Sequence, residues 1–125
     1  MEEGATFDQR LAERVRRVLR ARRGVTERRM FGGLTFLVRG HMCCGVVGDD
    51  LVIRVGPEHY KVALSRPHAR PMDFTGRPLK GFVYVGPNGH RTDQALARWV
   101  RLAAEFASSL PSKQAQRRGT RKATR

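Results

Sequence analysis

Cysteine is nearly absent from this chain. Of 125 residues two are cysteine, and they are adjacent, Cys43 and Cys44. Neighbours on an extended chain point to opposite faces, so the pair is poorly placed to bridge itself. A disulfide framework is thereby excluded, and a reducing compartment is expected. No apolar run approaches the roughly 20 residues of a membrane span. The N-terminus, Met1-Glu2-Glu3-Gly4, is acidic and polar, unlike a secretory leader. A soluble, cytoplasmic protein without membrane contact is the expectation. Acidic residues are also scarce, with 11 Asp and Glu against 25 Lys and Arg and a formal net charge of +14. Such a balance favours polyanionic partners: nucleic acid, anionic lipid or an acidic protein. A codon bias toward arginine would give the same excess with no ligand, and arginine far outnumbers lysine here.

What is present is enough for one folded domain. A chain of this length hides roughly two thirds of its unfolded surface, so its core needs neither disulfide nor metal. Phe7, Leu11, Val15, Val18 and Leu19 recur at helical spacing, which predicts an amphipathic helix over residues 7–23 with Thr6 as N-cap and Gly24 as stop. Seven arginines lie in that stretch against Asp8 and Glu13. A β-rich block follows. Met30-Phe31 leads through Gly32-Gly33 into Leu34–Val38, then Met42–Val47, then Leu51–Val55. Arg39-Gly40-His41 and Gly48-Asp49-Asp50 read as hairpin tips of an antiparallel meander.

Pro57 and Glu58 suit the first turn of a short helix that Arg66-Pro67 ends. Met72-Asp73-Phe74 predicts a short edge strand, and Leu79–Val85 a clear one. Thr92 or Asp93 caps a last helix with Leu96, Trp99, Val100, Ala103, Phe106 and Leu110 on its apolar stripe. The order α-β-β-β-α-β-β-α, with no internal repeat, predicts an α+β fold: two layers, an antiparallel sheet with helices on one face. Residues 1–111 form the domain. Residues 112–125 lack apolar side chains larger than alanine and are expected to be a basic, disordered tail.

The chemistry-bearing residue types do not assemble into a reaction. His41, Cys43 and Cys44 with His59 or His68 lack the spaced ligand pairs a zinc site needs. None of the four histidines sits in a nucleophilic motif. Gly32-Gly33 lacks the Lys and Ser/Thr of a phosphate loop and leads into a strand. Asp49 and Asp50 fit a polar hairpin tip, and Trp99 and Phe106 fit the core of the last helix. No metal, cofactor or catalytic set is expected, and the protein is read as a non-enzyme. The best anion-binding candidates are Arg16, Arg17, Arg20 and Arg23 on the first helix, with Lys113, Arg117, Arg118, Arg121 and Lys122 in the tail. They would neutralise phosphates without reading bases, since no helix-turn-helix or aromatic stacking platform accompanies them. A plain solvated helix face is the alternative.

The stretch Arg66–Val85, RPHARPMDFTGRPLKGFVYV, is a loop written in stiff residues. Arg66, Arg70 and Arg77 with Asp73 read as internal scaffolding, with guanidinium groups holding carbonyls or Asp73. Together with MFGGLTFLVRGHMCCGVVGDDLVIRVG (30–56), this stretch closely resembles the N-terminal domain of the TfoX/Sxy family. The Met-Phe-Gly-Gly start, the Cys-Gly-Val turn and the Arg-Pro-Met-Asp-Phe loop occur together and in order, and the likeness covers roughly residues 7–110. It implies an α-β3-α-β2-α architecture and kinship with bacterial regulators of competence, which act beside the cyclic-AMP receptor protein. Those regulators carry a second, C-terminal helical domain where this chain has its basic tail. The family brings no catalytic residues. The resemblance implies a regulatory or adaptor protein working through contacts with a regulator or the transcription machinery. The alternative is a non-specific nucleic-acid-binding protein. The oligomeric state stays open, a dimer included.

Overall fold

A computed structural model describes residues 7–30, 32–73 and 76–111. The elements run α1 (Gln9–Leu19), β1 (Val25–Met30), β2 (Gly33–Val38), β3 (His41–Val47), β4 (Asp50–Arg54), α2 (Tyr60–Leu64), β5 (Ala69–Asp73), β6 (Pro78–Val85) and α3 (Asp93–Ser109). All six strands join one sheet in the order β1-β2-β3-β4-β6-β5, antiparallel throughout. The α+β class and the antiparallel sheet expected from the sequence are what the chain adopts. To the expected elements the structure adds β1, an edge strand whose residues Thr26–Arg29 are exposed.

The first helix starts later than its apolar period suggests. Asp8 is the N-cap, accepting from Arg10 N at 2.9 Å and Leu11 N at 3.1 Å. A carboxylate there satisfies two of the orphan N–H groups of the first turn. The expected cap, Thr6, lies outside the described residues. Phe7 is not helical but bridges to Gly48 beside β3. The helix ends at Leu19, so Arg20–Gly24 form a turn rather than its last turn. For α3 the cap is Thr92, whose side chain accepts from Ala95 N at 3.1 Å.

One cluster gathers the helices onto one face of the sheet. Leu11, Val15 and Leu19 of α1 and Leu96, Val100 and Ala103 of α3 meet Phe36, Val46, Ile53 and Val83. Each of these side chains except Ala103 contributes roughly 1.5–3 kcal/mol by leaving water. Both cysteines belong to this cluster, contrary to the alternation expected of them. Phe36 pairs with Cys44 but Leu37 with Met42, so Cys43 is one extra residue in β3. Such a bulge interrupts the alternation of faces. Both remain free thiols. Hydrogen bonding with Cys43, then burial, pushes the Cys44 thiol well above its ordinary range.

The opposite face is also buried in its centre, without a helix over it. Thr35, Leu37 and Val52 are buried there, and Met72 is fully buried. Met72 shares a small cavity with Thr35, Met42, Gly45 and Val52, although β5 is separated from β3 by two strands. The sheet therefore curls, and the edge strand β5 brings Met72 back over its middle. Twist of one hand accumulated over six strands produces such coiling.

Candidate anion-binding groove and acid-rimmed cleft

The arginines of α1 have divided roles. Arg14 turns inward and ties α1 to the start of α3, donating to the His90 carbonyl at 2.9 Å, the Arg91 carbonyl at 3.2 Å and Asp93 Oδ1 at 3.3 Å. Arg16 donates to both oxygens of Glu27 on β1, at 2.6 and 2.9 Å, and to Glu13 at 3.1 Å. These hydrogen bonds, Glu27 first, raise the Arg16 guanidinium above its ordinary value, and Arg16 in turn lowers the Glu27 carboxyl. Arg20 is 3.9 Å from Glu13. Of the four helix candidates, Arg16 is thus engaged in holding β1 to α1 and Arg20 is partly engaged. Arg17 and Arg23 are exposed and form no ion pair among the described residues. Lys113, Arg117, Arg118, Arg121 and Lys122 lie outside the described residues.

Arg23 opens onto a groove of about 510 Å³ lined by Arg22, Arg23, Gly24, Val38, Arg39 and Ser108. Two chain segments meet there, the turn after α1 and the β2–β3 hairpin. Arg39 N donates to the Gly24 carbonyl at 2.8 Å. Arg39 and Gly40 form the hairpin tip with φ of 54° and 88°, the positive values that a tight two-residue hairpin turn of the primed kind requires. Arg22 makes a long contact of 3.5 Å to Ser108 Oγ on α3. Among the described residues no carboxylate lines the groove.

The Pro-rich loop is scaffolding of a different kind from the one expected. Arg66 stacks on Trp99, 5.4 Å from the ring centroid. Arg70 stacks on Tyr84 at 4.8 Å and forks onto Asp50, at 2.6 and 3.4 Å. The hydrogen bonds to Asp50 raise its guanidinium above the ordinary value. Asp73 is exposed at the end of β5, opposite Pro78, and forms no ion pair with Arg66, Arg70 or Arg77. Arg77 is exposed. Between Arg66 and Asp73 the residue that is fully buried is Met72.

A second recess lies between the β4–α2 connection and α3. It measures about 500 Å³ and is lined by Val55, Pro57, Glu58, His59, Leu102, Glu105, Phe106 and Ser109. Gly56, with φ of 85°, makes the floor possible: a Cβ there would fall 2.4 Å from the Phe106 ring. Arg54 packs behind, 5.2 Å from the Phe106 centroid and 5.5 Å from that of Phe82. Burial lowers its pKa. Glu58 and Glu105, one on each wall, are exposed and have no ion pair among the described residues.

Two histidines serve the fold. His41 donates through Nε2 to the Pro111 carbonyl, and His90 through Nε2 to the Asp49 carbonyl at 3.0 Å. Among the described residues no group of three His, Cys, Asp or Glu side chains converges as metal ligands would.

The family model of the TfoX N-terminal domain matches residues 17–107. The chain belongs to this family. Compared with curated proteins and with solved structures, it matches none. The TfoX N-terminal match spans nearly all of both recesses, leaving only Ser108 and Ser109 beyond its end. Among the described residues of this TfoX N-terminal domain, no helix is long and apolar enough to cross a membrane. Of the candidates named from the sequence, Arg23 lines the groove and Arg17 lies in neither recess; Arg22, Arg39 and the cleft were not named. The signal for Arg39 was in plain sight: an arginine stands at a hairpin position that favours Asn, Asp or Gly.

Proposed function

We propose that the protein is a regulatory adaptor with no catalytic step of its own, related in role to the competence regulators of its family. It docks a segment of a partner protein, a regulator or component of the transcription machinery, in the cleft beside α3. The observation that carries this reading is the pairing of an apolar floor with carboxylates that have no ion pair among the described residues. In a chain with 25 basic and 11 acidic residues, Glu58 and Glu105 face one recess that, among the described residues, has no basic side chain in its lining except His59. A segment with a large apolar side chain flanked by Lys or Arg fits that chemistry. Its apolar group covers Leu102 and Phe106, and its cations meet the two walls. Charge complementarity of this kind sets specificity and encounter rate.

Photo-crosslinking tests the reading. A benzophenone amino acid replacing exposed Ser109 is expected to trap one defined protein in the native host. Adding Glu58→Lys and Glu105→Lys should abolish that adduct without altering the circular dichroism spectrum. An adduct that persists through the charge reversal, with the fold intact, refutes docking in this cleft.

A further inference from the structure

We infer that the groove built by Arg22, Arg23 and Arg39 binds the phosphodiester backbone of nucleic acid. Three arginines from two separate chain segments line one recess, and among the described residues no carboxylate lines it. On α1 itself Arg14 is matched with Asp93 and Arg16 with Glu27 and Glu13. Converging like charges repel unless an anion sits among them. Guanidinium forks fit the paired oxygens of phosphate.

Arg39 adds an independent observation. At a tight two-residue hairpin tip the first central position favours Asn, Asp or Gly, because it demands positive φ. Arg39 holds φ of 54° there. Strain of this sort persists where a side chain has a task at that place. The surroundings are shaped to let it act. A Cβ on residue 24 would come 3.1 Å from Arg39 Cγ, so Gly24 leaves the path of the arginine stem open.

The chemistry of the recess selects the ligand. Its volume of about 510 Å³ exceeds the space of a single phosphate, and it is open along the surface. A membrane would call for apolar side chains ready to insert. Among the described residues the exposed large hydrophobic one is Val62, on α2 and outside this groove. Among the described residues no aromatic side chain lines the groove to stack on bases. Contact is with the backbone and is independent of sequence.

The test uses the full chain and a fluorescein-labelled 15-nucleotide oligo-dT, read by anisotropy. At about 50 mM salt the triple change R22Q/R23Q/R39Q should weaken binding by about a hundredfold. The slope of log affinity against log salt should become shallower by about 2, from roughly 0.7 per phosphate contact on a single strand. A control with equal charge loss on exposed positions away from the groove, R10Q/R98Q/R101Q, should weaken it by less than about fivefold. Because the triple variant could lose its fold, Arg39→Gly decides independently. Glycine accepts the positive φ, so its melting temperature should equal or exceed the parent's while affinity falls several-fold. Equal losses in the two triple variants overturn the proposal, as does unchanged affinity in Arg39→Gly. So does a parent protein that binds anionic phosphatidylserine vesicles but not the oligonucleotide.

Discussion

Replacing Met72 with alanine asks whether the sheet truly closes over its own second face. Met72 is fully buried on β5, yet it shares its cavity with Thr35, Gly45 and Val52 on strands it does not touch by hydrogen bonding. Truncation removes the whole thioether beyond Cβ, and the strands around it are fixed by their ladders, so little collapse is available. The loss should therefore fall in the middle of the about 2–5 kcal/mol range for Met→Ala in a core, near 3 kcal/mol. For a domain of this size that lowers the melting temperature by roughly 10–20 °C. Met72→Leu conserves volume and should cost less than about 1.5 kcal/mol. Val62→Ala, at the exposed position on α2, should be nearly neutral. The assay is urea unfolding followed by circular dichroism, with the midpoint read at constant slope. A Met72→Ala loss below about 0.5 kcal/mol would mean that β5 does not plug the curled face, and the account of the loop as scaffold would fail with it.

Two further changes probe the tie between elements. Gly56→Ala should cost roughly 1–3 kcal/mol for its positive φ, plus a clash with Phe106. In a Phe106→Ala background the clash component disappears, so a double-mutant cycle should show coupling of about 1 kcal/mol; additivity would contradict the packing. Glu27→Gln should cost about 0.5–1 kcal/mol at neutral pH, since its partner Arg16 and the pair itself are partly exposed. The Glu27 carboxyl is lowered in the folded state, chiefly by hydrogen bonding to Arg16, from an ordinary value of 4.5. Its contribution is thus complete above that value and is lost as pH falls through the depressed one. Parent and variant should converge in acid and in high salt, and a gap that widens in acid would reverse the sign of the argument.

The meander β2–β3–β4 was legible because short apolar runs alternate with glycine-containing tips, and that signal is local. Strand β1 was not: VTERRM is polar on both faces because it lies at an exposed edge, and a hydrogen-bonded edge leaves no hydrophobic period. The facing of Cys43 and Cys44 followed the ordinary alternation until one extra residue broke it, and nothing in the residue types of β3 announces a bulge. Asp73 looked like the natural partner for its neighbours Arg70 and Arg77. Sheet register decided otherwise, by pairing Arg70 with Tyr84 and bringing Asp50 of the adjoining strand within reach. The groove shows the same limit. Arg23 was visible as part of a cationic helix, but its meeting with Arg39 depends on one backbone hydrogen bond to Gly24. Charge density reads from a sequence; the convergence of charge does not.

Groove and cleft flank the C-terminal end of α3. Ser108 lines one and Ser109 the other, and successive residues on a helix point about 100° apart. The end of this helix is therefore a partition with arginines on one side and carboxylates on the other. Occupants of such neighbouring sites carry opposite charge. Within a Debye length of about 8–10 Å they attract each other and each lessens the repulsion felt by the other. An anion among Arg22, Arg23 and Arg39 removes the positive potential that opposes a cationic segment entering beside Glu58 and Glu105. Linkage makes the effect reciprocal, so a partner in the cleft strengthens the anion's hold by the same factor. Two sites of like sign in these positions would have competed. Opposite signs are what the two proposed occupants, a polyanion and a basic partner segment, would need in order to be held together by one small domain.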